Sequence, residues 1–326
     1  MSARRAVPRV FLPAIIALNL ISFTPLANAQ KCRTAHDPKA LKTLQEKADA
    51  GDSDAQCGLG KQYEFGLGVP QDNKQAVLWL QKSAEQGDVL AQVEIGVVLD
   101  KMQDFAQALI WYRKAAEQGN ARAEYNLGLA YQNGEAVPKD MAHALVWYRK
   151  AADQGDVLAQ SNLGVAYEHG VGVQQDYPRA ADLYRKAAEQ GVAKAQTSLG
   201  LLYLNGSGVP KDETQAAVWM LKAAEQGQPV AQFNLGICFL NGAGVDRDLN
   251  EGYFWIFLAN TRTMDSLLKG YAEDSLDQLT GVMKKNDIKS AQKRAQVWLN
   301  QHPPLKFEQD LVQSGETTPP PSPDLK

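Results

Sequence analysis

The sequence predicts an all-α solenoid made of six two-helix repeats of about 36 residues each. The prediction depends on three motifs that recur in register along the chain. The first ends in a glycine, at Gly60, Gly96, Gly128, Gly164, Gly200 and Gly236. The second holds a tryptophan at residues 79, 111, 147, 219 and 255, and the third is Ala-Glu-Gln-Gly or Ala-Asp-Gln-Gly. Chance does not place three motifs in register this often, so a repeat array is predicted.

Each repeat is predicted to form two helices. In the third repeat, apolar residues recur at helical spacing in two stripes within 123–151. The first helix is expected to end at Gly134, because glycine tolerates the left-handed conformation of a helix C-cap. Asp140 is expected to cap the start of the second helix, as are Asp176 and Asp212 in later repeats.

The packing of these helices is predicted from residue size. Small residues such as Gly128 are expected where the two backbones of a hairpin approach closely. Large residues such as Trp147 are expected to fill the space between neighbouring hairpins, and stacked hairpins bury a core that no single repeat could bury alone. The second repeat is four residues shorter, and the missing residues fall between Leu99 and Phe105. A deletion confined to an inter-helix loop is compatible with helix packing.

The N-terminus has the three-part pattern of a secretory signal peptide over residues 1–29. Three arginines precede an apolar stretch, and Ala27-Asn28-Ala29 provides the small residues for cleavage before Gln30. Removal of this segment, which contains three arginines and no acid, takes the formal net charge from −3 to −6. An uncleaved anchor helix is the alternative. We expect a periplasmic or secreted protein whose acidic charge disfavours binding to nucleic acid or anionic membranes.

The remaining organisation follows in chain order. Residues 30–52 are predicted to form an N-terminal segment and a capping helix, and the repeats have the bounds 53–88, 89–120, 121–156, 157–192, 193–228 and 229–264. Residues 265–302 are expected to form C-terminal capping helices, since the ends of a solenoid must present a polar outer face. Residues 303–326 are proline-rich and expected to be disordered, with a polyproline ligand as the alternative.

Three cysteines are too few for a disulfide framework. Cys32 and Cys57 could still bond in an oxidising compartment, if the segment after Cys32 runs back along the first helix. A disulfide and a pair of free thiols are both compatible with the sequence. Cys238 is expected to be a small buried apolar residue.

The motifs resemble the Sel-one-like repeat (SLR), a relative of the tetratricopeptide repeat (TPR). The resemblance covers residues 53–264 and is carried by A-x-x-x-L-G-x-x-Y-x-x-G-x-G-V-x-x-D followed by A-x-x-W-Y-x-K-A-A-E-Q-G. It implies a right-handed α-α superhelix with a concave face and an adaptor or scaffold role. Bacterial proteins of this family include periplasmic regulators of signalling kinases and exopolysaccharide-secretion scaffolds. A cysteine-rich branch associated with β-lactamase activity has a disulfide in every repeat, a pattern that this chain lacks.

No catalytic, cofactor or metal site is predicted. A metal site needs clustered ligands, and the histidines are scattered, at His36, His143, His169 and His302. The Gly-x-Gly segments lack the Lys-Ser/Thr of a phosphate-binding loop, and no Ser-His-Asp set is visible. These segments are interpreted as turns, and the chain is predicted not to be an enzyme.

The first helix of each repeat is expected to line the concave face, by analogy with tetratricopeptide packing. The predicted partner-binding residues on it are Tyr125, Leu129, Gln132, Val165, Glu168, Leu201, Leu204, Phe233, Ile237 and Leu240. Arg122, Ser161 and Thr197 are expected to be exposed on the same face. Its C-terminal half is apolar, as binding sites are. The alternative is that the chain's own C-terminal helices, within Leu267–Trp298, cover it.

The sequence therefore favours a non-enzymatic adaptor or regulatory scaffold that binds a protein partner, such as an envelope sensor or assembly complex. Such a protein would reach the membrane only through its partner. A scaffold for polysaccharide or cell-envelope assembly, which binds glycan or peptidoglycan, is the second hypothesis, favoured if exposed aromatics such as Tyr125 line the groove. A hydrolase of the β-lactamase-like cysteine-rich branch is a distant third.

Overall fold

The computed structural model describes Cys32, Thr34 and residues 37–303. In this part of the chain there are fifteen α-helices and no strand, so the predicted all-α repeat fold is confirmed. The helices are α1 (Pro38–Asp49), α2 (Ser53–Phe65), α3 (Asn73–Glu85), α4 (Val89–Lys101), α5 (Phe105–Glu117), α6 (Ala121–Asn133), α7 (Met141–Asp153), α8 (Val157–His169), α9 (Tyr177–Glu189), α10 (Ala193–Asn205), α11 (Glu213–Glu225), α12 (Pro229–Asn241), α13 (Leu249–Arg262), α14 (Ser266–Val282) and α15 (Lys285–Gln301). None of these fifteen combines the length and apolar character that a membrane crossing requires. The predicted signal peptide, His36 and residues 304–326 lie outside the described residues.

The chain divides into two compact units, Met1–Ala91 and Gln92–Lys326, with the boundary inside α4. Within the first unit, α2 packs against both α1 and α3. Within the second, the two helices of a repeat pack together, as α6 does with α7, and the second helix of each repeat packs on the first helix of the next, as α7 does with α8. Nearest-neighbour packing of this kind is the defining feature of a solenoid.

Aspartates and glycines set the helix ends at the predicted positions. Oδ1 of Asp140 accepts a hydrogen bond of 3.0 Å from the backbone N–H of His143, and Asp176 and Asp212 cap α9 and α11 in the same way. Each such cap contributes about 1 kcal/mol to helix stability. Gly134 ends α6 in the left-handed conformation with φ 82°, as predicted. These local signals fix where each hairpin turns.

The seam inside a hairpin is formed by a glycine and a large side chain opposite it. A Cβ atom on Gly128 would lie 2.5 Å from Cδ1 of Tyr148, so only glycine leaves room for this ring. Tyr148 is fully buried between Ala144 and Ala151, which lie four residues before and three after it on the same helical face. Tyr148, and not Trp147 as the predicted packing implies, is therefore the fully buried large residue of this repeat. One residue away from Tyr148, the Trp147 side chain is only half-buried, and the ammonium of Lys150 lies 4.2 Å above its ring.

A glutamine ladder joins neighbouring repeats in the second compact unit. Nε2 of Gln196 donates to the carbonyl of Ala188 in the preceding repeat at 3.0 Å, and its Oε1 accepts from Gln226 at 2.8 Å. Gln226 is the glutamine of the Ala-Glu-Gln-Gly motif, which explains why that motif recurs. In the third repeat the ladder position is Glu124, whose Oε2 accepts from Gln154 at 2.7 Å.

In the first compact unit, Cys32 and Cys57 are joined in a disulfide with Cα atoms 4.8 Å apart. The bond ties the segment before α1 to the middle of α2. Ala48, Ala55 and Leu59 form the small core beneath it, where a side chain of α1 meets two of α2. Cys238, in the other unit, is a buried thiol, as the sequence predicts.

The C-terminal helices α14 and α15 both pack on α13, the second helix of the sixth repeat. The predicted apolar stripe of α15 faces this contact, and its Ala291 and Ala295 are buried. Arg294 forms an ion pair of 2.8 Å with Glu251 at the start of α13. The two helices therefore lie against the end of the repeat array.

Candidate functional site

The ten predicted partner-binding residues lie on the first helices α6, α8, α10 and α12, and all ten are half-buried. We call this set, from Tyr125 to Leu240, the inner strip. Two further expectations for this face are wrong, because Ser161 and Thr197 are 3% and 4% exposed. Both are small, and Oγ1 of Thr197 bonds to the carbonyl of Ala193 in its own helix at 2.9 Å, so neither side chain reaches solvent.

The N-terminal half of the inner strip contains polar side chains, and two of them, Gln132 and Glu168, bond to tyrosines of the second helices. The hydroxyl of Tyr148 donates to Oε1 of Gln132 at 2.8 Å, and that of Tyr184 donates to Oε2 of Glu168 at 2.6 Å. Burial raises the pKa of both tyrosines above the ordinary value, so both hydroxyls remain protonated donors. Gln132 and Glu168 thus each already use one side-chain oxygen in a hydrogen bond within the protein.

One position of the strip changes from polar to apolar between the fourth and fifth repeats. At the positions equivalent to Gln132 and Glu168, the fifth and sixth repeats carry Leu204 and Leu240. The tyrosine positions change with them, because Met220 and Ile256 stand where the earlier repeats have Tyr148 and Tyr184. In the third to sixth repeats each pair is therefore wholly polar or wholly apolar, and the Tyr148 and Tyr184 hydroxyls each have an acceptor.

The apolar half of the strip consists of Leu201, Leu204, Phe233, Ile237 and Leu240. These side chains pack at the edge of a core cluster that contains Met220 and Leu235, and each keeps part of its surface accessible. The C-terminal helices were the alternative occupant of this face. Their principal packing partner is α13, a second helix, and Gln292 of α15 donates to the Tyr253 hydroxyl there at 3.0 Å.

Tyr125, one of the two aromatic residues of the strip with Phe233, has a ring that already contacts other side chains. Its centroid lies 5.8 Å from that of Tyr148, in a tilted arrangement, and the Arg122 guanidinium lies 5.6 Å from it. Burial raises the pKa of the Tyr125 hydroxyl above its ordinary value. A ring already in contact with an aromatic ring and a cation is a poor stacking platform for a sugar.

The histidines within the described residues take part in local contacts. His143 accepts or donates a 2.6 Å hydrogen bond with Asp140 and stacks on Tyr131, and His302 stacks on Trp298. One set of possible metal ligands, namely Cys32, Cys57 and Asp88, has its atoms within 4.8 Å of one another. Because the two sulfur atoms are bonded to each other, they offer no thiolate to a metal.

Sequence reasoning missed two polar residues near the short second repeat, Asp100 and Asn126. Asp100 occupies the position equivalent to Gln132 and accepts a hydrogen bond of 2.6 Å from the Tyr112 hydroxyl. The shortened turn that follows Asp100 was the available signal, since a deletion beside a half-buried carboxyl changes which residues cover that carboxyl.

Comparison with known proteins identifies the repeats. The Sel1 repeat family matches residues 53–88, 96–120, 121–156, 157–192, 193–228 and 229–260. The chain is similar to c5321, a protective antigen of uropathogenic Escherichia coli with an SLR fold, at 34% identity and a TM-score of 0.75, over 89% of this chain and 62% of that one. A Sel1 repeat protein from Oxalobacter formigenes is 32% identical with a TM-score of 0.62, over 73% of this chain and 70% of that one. The chain thus spans less than two-thirds of c5321, and no curated protein matches it.

Proposed function

Because the chain belongs to the Sel1 repeat family, we propose that it is a non-catalytic adaptor that binds a protein partner along the inner strip. We further propose that it acts in the periplasm or outside the cell, after cleavage before Gln30. Membership of the family supports a scaffold role by analogy of fold. The inner strip provides the surface at which we propose that the partner binds.

The observation that carries this proposal is the apolar half of the strip. Five large apolar side chains lie half-buried on α10 and α12, two neighbouring first helices. An amphipathic helix of a partner laid along them would remove their remaining apolar surface from water, at roughly 25 cal/mol per Å². Helix-in-groove binding uses apolar anchors of this kind, spaced by one helical turn. Leu201 and Leu204, like Phe233, Ile237 and Leu240, have that spacing.

The glycan-binding hypothesis has less support. It was favoured on the condition that exposed aromatics line the groove, and the ring of Tyr125 is already in contact with Tyr148 and Arg122. The apolar side chains that dominate the other half offer few hydrogen bonds to sugar hydroxyls. A protein helix is therefore the better match to the strip.

The proposal is tested by charge substitution on the strip. The double variant Leu204→Glu/Ile237→Glu places two carboxylates at the apolar half, and we expect it to lose a partner that is cross-linked to the wild-type protein in the envelope of the producing bacterium. Val146→Glu/Val218→Glu is the matched control, since these residues are 48% and 42% exposed on second helices. It should retain the partner.

Two outcomes contradict the proposal. Partner capture by the folded strip variant would place the binding site elsewhere, and an unfolded strip variant, measured by circular dichroism, would make the strip part of the core. The location is tested separately by N-terminal mass analysis of the exported protein. A mature chain that begins at Gln30 is the expected result, and an intact Met1 would contradict it.

A further inference from the structure

A cavity of about 230 Å³ lies beside the short turn of the second repeat, between α4, α5, α6 and the loop after α6. It is lined by Asp100, Phe105, Leu109, Tyr112, Asn126, Leu129, Ala130, Asn133 and Glu135. The volume is below the range of roughly 300–1,000 Å³ typical of drug-sized ligands and well above the roughly 30 Å³ share of one water. It suits a single amino-acid side chain or a small amine.

The charge of the lining is negative. Among the residues that line this cavity there are two carboxylates, Asp100 and Glu135, and no lysine, arginine or histidine. Burial raises the pKa of Asp100 to about 6, the Tyr112 hydrogen bond opposes the rise, and the charge of Glu135 adds to it. Arg122 is the cation that acts on Tyr112 from outside the lining. A cation placed beside both carboxylates would favour the charged form of Asp100.

One hydrogen-bond donor of a lining residue, Nδ2 of Asn126, has no acceptor. Asn126 is 8% exposed, and its Nδ2 has no hydrogen-bond acceptor in the structure. One repeat later the equivalent asparagine, Asn162, forms a hydrogen bond with Tyr148. A buried polar group left without a partner destabilises the folded state. An acceptor supplied by a ligand would remove this destabilisation.

The walls of the cavity complete the chemistry. Phe105, Leu109 and Leu129 provide apolar surface in the lining of the cavity. An aliphatic chain would bury its methylene groups there, which removes apolar surface from water and favours binding. The site therefore combines an anionic end, an apolar wall and a free amide donor.

We propose that this cavity binds an aliphatic primary ammonium group that also carries a carbonyl acceptor, as a lysine residue of a peptide does. The ammonium lies at Asp100 and Glu135, the methylene chain lies along the apolar wall, and the carbonyl accepts from Nδ2 of Asn126. The cavity shares Leu129 with the inner strip. The proposal does not depend on the apolar half of the strip on α10 and α12 or on a partner bound there.

The test titrates three probes into the full-length mature protein by calorimetry. Nα-acetyl-lysine N-methylamide should bind, the isosteric norleucine derivative should not, and 1,5-diaminopentane, which has no carbonyl, should bind at least about tenfold more weakly. If the diamine bound as tightly as the lysine probe, the proposed peptide ligand would be ruled out and the cavity would be a site for free diamines. Equal binding of the norleucine derivative, or no binding of either amine, would overturn the proposal.

Substitutions assign the binding to the cavity. Asp100→Asn keeps an acceptor for Tyr112 and should weaken the lysine probe at least about tenfold, as loss of one buried charge partner does. Glu168→Gln is the matched control, because it makes the same change at the Tyr184 pair in a repeat with a full-length loop, and it should leave affinity unchanged. The strip variant Leu204→Glu/Ile237→Glu should also bind the probe normally.

A second measurement does not depend on any variant. The side-chain carboxyl of Asp100 can be followed by carbon NMR in the wild-type protein, with and without the lysine probe. A bound cation should move its titration to lower pH from the value of about 6. A titration that does not move at saturating probe would overturn the proposal even if Asp100→Asn failed to fold.

Discussion

The hydroxyl of Tyr184 in α9 donates a hydrogen bond of 2.6 Å to Oε2 of Glu168 in α8, across the interior of the fourth repeat. The equivalent bond of the third repeat joins Tyr148 to the neutral amide of Gln132 at 2.8 Å. The two repeats thus use the same geometry with acceptors of different charge, which allows the effect of charge to be measured in one protein.

We expect Tyr184→Phe to lower the free energy of unfolding by about 1.5–3 kcal/mol and Tyr148→Phe by about 0.5–1.5 kcal/mol. The difference arises because hydrogen bonds to charged groups are stronger than bonds between neutral groups. Urea titration of both variants at neutral pH measures it. Equal losses would show that the Glu168 carboxylate gains nothing from the bond.

Gly128→Ala should destabilise the protein by about 1–3 kcal/mol, because the added Cβ would lie 2.5 Å from the buried Tyr148 ring. Gly270→Ala is the control within α14, where a Cβ would meet nothing within 4 Å. There the better helix propensity of alanine should stabilise by about 0.5–1 kcal/mol. Thermal unfolding of both variants tests the opposite signs, and two stabilising changes would contradict the seam described here.

Tyr148→Ala should cost about 3–5 kcal/mol, as large-to-small changes in a core do. Trp147→Ala should cost clearly less, since its ring is half-buried and the methylene groups of Lys150 can cover part of the gap. The order of the two unfolding midpoints decides the assignment. A larger loss for Trp147 would make Trp147, and not Tyr148, the core residue of this repeat.

Glu124→Gln should stabilise the protein by about 1 kcal/mol, because a glutamine can donate to the preceding repeat as Gln160 does to the carbonyl of Ala152 at 3.3 Å. Burial raises the pKa of Glu124, so the folded state holds the proton more tightly than the unfolded state. The wild-type protein therefore regains stability as pH falls toward the folded-state pKa, and the advantage of the variant should shrink. Gln160→Glu is the reverse control and should acquire the same pH dependence. A constant advantage across pH would contradict the ladder.

Reduction of the Cys32–Cys57 bond should destabilise the first compact unit by about 2–4 kcal/mol, since the bond closes a loop between residues 25 apart. Hydrogen exchange in α1 and α2, with and without reductant, measures the change locally. Peptide mapping under non-reducing conditions provides the control, because two alkylatable thiols at these positions in the native protein would show that no bond exists.

Repeats, turns and caps could be predicted from the sequence, because they are local and recur. The C-cap at Gly134 favours glycine and the N-cap at Asp140 favours aspartate, and the chain has the same residues at the equivalent positions of later repeats. The register of the core was harder to predict. Trp147 and Tyr148 are neighbours, both large, and only the position of Gly128 opposite Tyr148 distinguishes them.

The cavity could not be predicted because it depends on single, non-repeating residues from three helices. Asp100 is the only aspartate at its position among the six repeats, and Asn126 differs from Asn162 only in what lies across from it. A motif search averages such differences away. The exposure of Ser161 was also predicted wrongly. It is at the position equivalent to Tyr125, but its small side chain does not reach the solvent.

The hydrogen bond from Nε2 of Gln118 to Oε1 of Gln92 joins residues 26 apart in the chain, whereas the bond from Gln226 to Gln196 joins residues 30 apart. Both distances are 2.8 Å. Turn length and the glutamine contact between the two helices of a repeat are thus independent of each other in this fold. Mutational drift can shorten or lengthen a turn without breaking this contact within the repeat. Duplication of a single repeat in the gene would likewise supply both halves of the glutamine contact at once. The number of repeats, and with it the size of partner that can be held, is therefore open to change in one genetic step.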